Sequence, residues 1–220
     1  MKKMIKIVAA LAVMLCSGSA FAKGMTMYGK ITGGFDARTG HFGVSTDNYD
    51  SDSTFGFSSF VVTPTFGMLF APDSSNGFLR GLGLEASFGV GIGGGHETRF
   101  TFSSYDPIST GSLTLIPRVD AVWHLLTNGA KFGEQKFVMH FMTGFELPIF
   151  IPLSSTVEVE IYHSYETHTQ KYRLVPAAML GWNVGAGFDL KLTDKLDLVA
   201  DVSVGIILFN INAGIVYRFK

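Results

Sequence analysis

The chain is short of charge. Of its 220 residues, 16% are charged and 47% hydrophobic, whereas an ordinary soluble domain has about 25% charged residues. It is also nearly without cysteine. The single one, Cys16, sits in the N-terminal segment, so the remaining chain can close no disulfide and is no disulfide-stapled scaffold. Long apolar runs are missing as well. Beyond the N-terminus none approaches the roughly 20 residues a membrane helix needs. A helical membrane protein is thereby excluded, and the apolar content excludes disorder. A plain water-soluble enzyme is disfavoured. No basic surplus points to nucleic acid as a partner.

What is present begins with an export signal. Lys2, Lys3 and Lys6 precede the apolar stretch from Ile5 to Cys16, and Ala20, Phe21 and Ala22 form a small-x-small cleavage site. Cleavage is expected after Ala22, which divides the chain into a signal peptide, 1–22, and a barrel domain, 23–220. Losing the signal removes three of the 17 basic residues and none of the 18 acidic ones, for a net charge of −4. Cys16 is no lipoprotein site, because Leu15 before it is not small.

The mature chain alternates with period two. In residues 26–38, Met27, Gly29, Ile31, Gly33, Phe35 and Ala37 share one parity, and Tyr28, Lys30, Thr32, Asp36 and Arg38 share the other. That pattern is a strand with two unlike faces. It recurs over 57–70, 82–93, 113–125, 137–151, 174–192, 196–206 and 209–219. The stretch 57–70 is the least clean, because Val61 and Leu69 blur its polar face. In 174–192, Leu174, Leu180, Trp182 and Phe188 fall on the apolar parity opposite Arg173, Asn183 and Asp189. Three connections are long (39–54, 94–111 and 152–172) and all fall at one end of an up-and-down meander; the short ones fall at the other. That asymmetry belongs to outer-membrane barrels. Almost no room remains for a loop around Ile207 and Leu208.

A soluble ligand carrier would show the same period with opposite burial. Three features favour the membrane barrel. The polar parity is rich in glycine, as the crowded interior of a small closed barrel requires. Its charges nearly cancel: Lys30, Arg38, Arg118, Arg173, Lys191 and Arg218 face Asp36, Glu85, Asp120, Glu146, Asp189, Asp197 and Asp201. Pairing is needed because an unpaired buried charge is prohibitive. The apolar parity carries almost no charge. Arg80 is the exception, at a strand end where it can snorkel. The fold class expected is all-β, a closed antiparallel transmembrane barrel of about eight strands, since membrane strands take about 9–11 residues each. Pro64, Pro117, Pro148 and Pro176 lie inside these strands, and proline in a closed barrel marks a bulge or a strand end.

Ile215, Tyr217 and Phe219 alternate towards an aromatic end. This resembles the C-terminal signature of bacterial outer-membrane barrels, and the resemblance implies that the assembly machinery reads these residues. Lys220 departs from the pattern by following the aromatic. The whole mature chain resembles the small eight-stranded barrels typified by the OmpA membrane domain, OmpX and OmpW. That resemblance implies an outer-membrane location, contact with outer-membrane lipid and a monomer; unlike OmpA-type proteins, the chain is expected to carry no periplasmic domain after the barrel.

Candidate chemistry is sparse. His163 and His168 flank an acid in the longest loop and could bind zinc, but an exposed hairpin tip is the preferred reading of them. The glycines from Gly89 to Gly95 alternate inside a strand and do not open a helix, so they form no phosphate loop. His124 lies at the short-turn end, and His140 points inward with no serine beside it. No catalytic, cofactor or metal set is singled out, and the chain reads as a non-enzyme. Lipid A modification is the minor alternative. The interior charges Lys30, Glu85, Arg118, Asp120, Glu146, Asp189, Asp201 and Arg218 read as structural. Trp123 and Trp182 face outward as interface aromatics. Two functions stay open. One is a filled barrel acting through its loops in envelope structure or on host or surface ligands. The other is a narrow OmpW-like conduit for small apolar molecules.

Overall fold

A computed structural model of the chain describes residues 25–46, 49–97, 109–127, 130–163, 166–205 and 208–219. The signal peptide lies outside the described residues. The elements are β1 (Thr26–Thr46), β2 (Tyr49–Leu69), the single-turn helix α1 (Gly77–Gly81), β3 (Leu82–Glu97), β4 (Ser109–His124), β5 (Phe137–Glu146) and β6 (Ile149–Pro152). They continue with β7 (Thr156–His163), β8 (Glu166–Val175), β9 (Ala177–Ala178), β10 (Gly181–Lys191), β11 (Leu196–Gly205) and β12 (Leu208–Arg218).

These 12 segments form one sheet. β12 pairs antiparallel with β1, from Tyr28 opposite Arg218 to Arg38 opposite Leu208, and closes the ring. The result is a closed barrel of 8 staves, in which β5 with β6, and β9 with β10, each make one interrupted stave. Closure leaves no unpaired edge, which is what a bilayer demands of a sheet.

Period two becomes an inverted molecule. Along β5, residues from Phe137 to Glu146 alternate strictly between exposed and buried. Phe137, Met139, Phe141 and Phe145 are exposed, while His140, Gly144 and Glu146 are buried beside Val138 and Met142. Phe60, Ile92 and Phe145 are 62%, 67% and 63% exposed, while Lys30, Glu85, Asp120 and Asp201 are buried. A continuous apolar outer band of this kind suits lipid, not water. The soluble-carrier alternative would have turned the same residues inside.

The prolines sit where the ladder breaks. The β2–β3 register skips Thr63 and Pro64. Pro117 and Pro148 share one interruption, where β4 passes from pairing with β5 to pairing with β6. The Pro117 carbonyl there accepts from the Leu147 N–H at 2.9 Å. Pro176 separates β8 from β9.

Three sequence readings change. The long connections 39–54 and 152–172 are largely strand: β1 and β2 stay in register as far as Thr46 opposite Tyr49, and β7 pairs with β8. Leu174 points inward, 2% exposed, although Leu180 and Trp182 of the same parity point outward. The break at Pro176 resets the facing, and Arg173 is exposed on β8, not part of the interior. Arg80 does not snorkel outward. It is buried in α1 and donates from Nη2 to the Thr127 carbonyl at 3.2 Å.

The staves are unequal. β10 and β11 part above Asn183 opposite Gly205. β8 then reaches over the short β11–β12 pair and joins β1 at Gly43 opposite Val175. Among the described residues, β1 therefore has no ladder partner on this side between Arg38 and Gly43, where β9 runs close beside it.

Candidate functional site

The interior is layered along the barrel axis. At the short-turn end Tyr28, Leu69, Leu126, Phe132, Val138, Val199 and Val216 form an apolar plug. At the long-loop end Phe55, Phe57, Phe150 and Leu174 form a second, with Val157, Tyr172 and Ala177 packed against it. The Phe57 and Phe150 rings stack with centroids 4.0 Å apart. Val61 and Leu69, the residues that blur the polar face of β2 in the sequence, are buried inward; Leu69 belongs to the first plug.

Between the plugs lies an ionic layer built from side chains of distant staves. Lys30 Nζ donates to Glu85 Oε2 at 2.8 Å and lies 3.4 Å from Asp201 Oδ2. Tyr28 Oη donates to Glu85 Oε1 at 2.8 Å. Arg38 forms a two-pronged pair with Asp36 and donates from Nη1 to Glu146 Oε1 at 2.8 Å. Arg118 Nε donates to Asp120 Oδ2 at 2.5 Å, and its Nη2 to Asn183 Oδ1 at 2.8 Å. Asn210 Nδ2 donates to Asp36 Oδ2 at 3.1 Å. Each charge thus meets an opposite charge within hydrogen-bond reach, the arrangement that makes ionised groups tolerable in a dry interior. The space left inside this layer is ≈ 40 Å³, enough for water but not for a substrate.

Nearer the first plug, His140 lies between two acids. Its Nε2 is 2.7 Å from Asp201 Oδ1 and its Nδ1 3.1 Å from Asp189 Oδ2. His124 Nε2 is 3.5 Å from the same Asp189 oxygen. Gly187 faces His140 in the β10–β5 register, and the absent side chain leaves the imidazole its room. Arg218 pairs with Asp197 beside the plug and donates to the Thr193 carbonyl at 3.0 Å.

Lys30, Glu85, Asp120, Glu146, Asp189, Asp201 and Arg218 are all buried inside, and Arg118 is mostly so. Asp36 and Arg38 join them. Ile215, Tyr217 and Phe219 face outward. Trp123 lies in an aromatic cluster at the short-turn end, with centroids 4.8 Å from Phe78 and 6.3 Å from Phe141. Trp182 is 43% exposed, one residue into β10. The side chains of His163 and His168 lie outside the described residues; their backbones stand on β7 and β8. What sequence reading missed is that His124 and His140 stand directly opposite each other on β4 and β5. Two inward histidines placed symmetrically about a turn were the available signal.

No family model matches the chain, and no curated protein matches it. Among solved structures it is similar to the outer-membrane protein OprG from Pseudomonas aeruginosa, at 13% identity and a TM-score of 0.55, covering 89% of this chain and 96% of that one. Neisserial surface protein A aligns at 11% identity and a TM-score of 0.41, covering 90% and 98%. Ail of Yersinia pestis, solved with the heparin analogue sucrose octasulfate, aligns at 13% and 0.39, covering 88% and 99%. The likeness to OprG is one of fold: this chain has the architecture of a small outer-membrane barrel.

Proposed function

We propose that this outer-membrane barrel is a closed scaffold that works through its outer hairpins, β1–β2 and β7–β8, in envelope structure or surface interaction. The observation that carries the reading is the double plug. A path along the axis would have to cross Tyr28 and Phe132, then the paired ions, then the stacked Phe57 and Phe150. None of those layers leaves a channel for a solute. Function then falls to the parts that stand beyond the lipid band. The reading includes insertion by the assembly machinery through Ile215, Tyr217 and Phe219, and a single chain per barrel. Planar-bilayer recordings of the folded protein test it. No resolved single-channel steps are expected, and clear steps would overturn it.

One feature supports a second reading, a narrow conduit for small apolar molecules. The unpaired stretch of β1 includes Gly40, and the Phe57–Phe150 stack lies directly behind that glycine. A small apolar solute would meet aromatic faces there without crossing the ionic layer. Vesicles carrying the barrel that take up a small aromatic hydrocarbon no faster than empty vesicles would dismiss this reading.

A further inference from the structure

We propose that His124, His140 and Asp189 form a buried binding site for one transition-metal cation of the zinc type. The three come from β4, β5 and β10, and each offers a donor atom within 4.8 Å of the other two. All three are buried, at 2%, 2% and 4% exposure. The ionic layer already described explains the other interior charges by mutual pairing. It does not explain why two imidazoles converge on one carboxylate oxygen.

The spacing fits coordination. Tetrahedral zinc, with bonds of about 2.0–2.1 Å, holds its donor atoms about 3.3 Å apart. The separations here are 3.1 Å from His140 Nδ1 to Asp189 Oδ2 and 3.5 Å from His124 Nε2 to the same oxygen. The second is too long for a strong hydrogen bond to an ionised group.

A supporting acid stands behind the site. Asp201 Oδ1 lies 2.7 Å from His140 Nε2, while His140 Nδ1 is the atom near Asp189. Such an acid–imidazole pair is the usual support behind a metal-bound histidine.

An independent observation comes from His124. Its Nδ1 is buried with no hydrogen-bond partner, so the ring's one polar approach among the described residues is from Nε2 to Asp189 Oδ2. Two nitrogens and one oxygen make a borderline donor set, suited to zinc and unsuited to calcium or magnesium. His124 also packs against Phe132 of the apolar plug, with centroids 4.7 Å apart. The site is thus sealed from the short-turn end, and the cation would enter during folding and tie three staves together.

The test uses the untagged full chain, unfolded with a chelator and refolded in detergent with Zn²⁺ or Co²⁺. One equivalent of zinc should survive desalting, measured by elemental analysis, and the Co²⁺ form should show the visible bands of tetrahedral cobalt. His124→Ala should lose both. Asp201→Asn should weaken zinc binding about 10–100-fold, as support-shell changes do. Heat-modifiable gel migration reports folding of each variant. Should His124→Ala fail to fold, the wild-type zinc count and cobalt spectrum still decide. Substoichiometric zinc with colourless cobalt protein overturns the site in favour of a protonated His140 shared by two acids. Metal that persists in folded His124→Ala but vanishes in a His163→Ala and His168→Ala double variant overturns it in favour of the outer hairpin.

Discussion

The two ends of this barrel obey different rules. Towards the short turns, all eight staves pair with lipid outside, and the ionic layer rests on the plug of Tyr28, Leu69 and Phe132. Towards the long loops, three prolines interrupt the ladders and β8 leaves its neighbour for β1. The stacked plug of Phe57 and Phe150 closes that end. The difference teaches where each constraint acts. Within the bilayer a sheet must close on itself, because unpaired backbone groups cost several kcal/mol in hydrocarbon. Beyond the bilayer water satisfies the backbone, so staves can end at different heights.

Stranding buried charge in the ionic layer should do most damage. Arg38 holds both Asp36 and Glu146 from one side chain. Arg38→Ala strands two buried carboxylates, and breaking such a pair costs about 3–5 kcal/mol. Urea unfolding of the detergent-folded barrel should show a loss of that size. A loss indistinguishable from zero would mean that water fills the layer and the halves do not differ in filling.

Lipid-face and interior neighbours provide the next contrast. Val202 is 42% exposed and Ser203 2% exposed on β11. Val202→Arg places a charge in the lipid band, at a cost of about 2–4 kcal/mol near mid-depth. It should block formation of the heat-modifiable form, whereas Ser203→Ala should be nearly silent. Equal insertion of both would mean that the facing of β11 is wrong.

A smaller effect sharpens the irregular half. If the outer plug holds by ring stacking, a double-mutant cycle with Phe57→Leu and Phe150→Leu should give a coupling of about 0.5–1.5 kcal/mol, beyond the apolar area each loses. Additive variants would show that the two rings merely fill space.

The same boundary explains what could be read in the sequence. Facing was legible in β5 and β11 because lipid on one side and ions on the other give every residue a sign. It failed at Leu174, since Pro176 resets the facing, and a proline marks a break without saying which way the chain faces on either side of it. Strand length failed over 39–54. There β1 and β2 stay paired, but the apolar alternation stops, so paired strand looks like loop. The interior charges were legible one by one. Their partners were not, because Lys30 meets Asp201 from 171 positions away and Arg38 meets Glu146 from 108. His124 and His140 were legible as inward residues. Their meeting depended on a register set by a turn whose length carries no periodic signal.

The smallest effect is expected farthest from the bilayer. Glu158 and Lys171 stand opposite each other on β7 and β8, 3.0 Å apart, with side chains 60% and 72% exposed. In geometry the pair matches Lys30 with Glu85, which are 2.8 Å apart. Only the surroundings differ. An exposed pair gains little over its separate hydration and is screened by salt, so its coupling should be about 0–1 kcal/mol. A double-mutant cycle with Glu158→Gln and Lys171→Gln should return a value in that range, falling as salt rises. Lys30→Met with Glu85→Gln should return a larger one that salt barely changes. If both couplings are equally small and salt-sensitive, water reaches the ionic layer freely and the barrel is no more closed inside than at its hairpins. If the exposed pair proves strong, the hairpin is held rigidly by something besides its ladder.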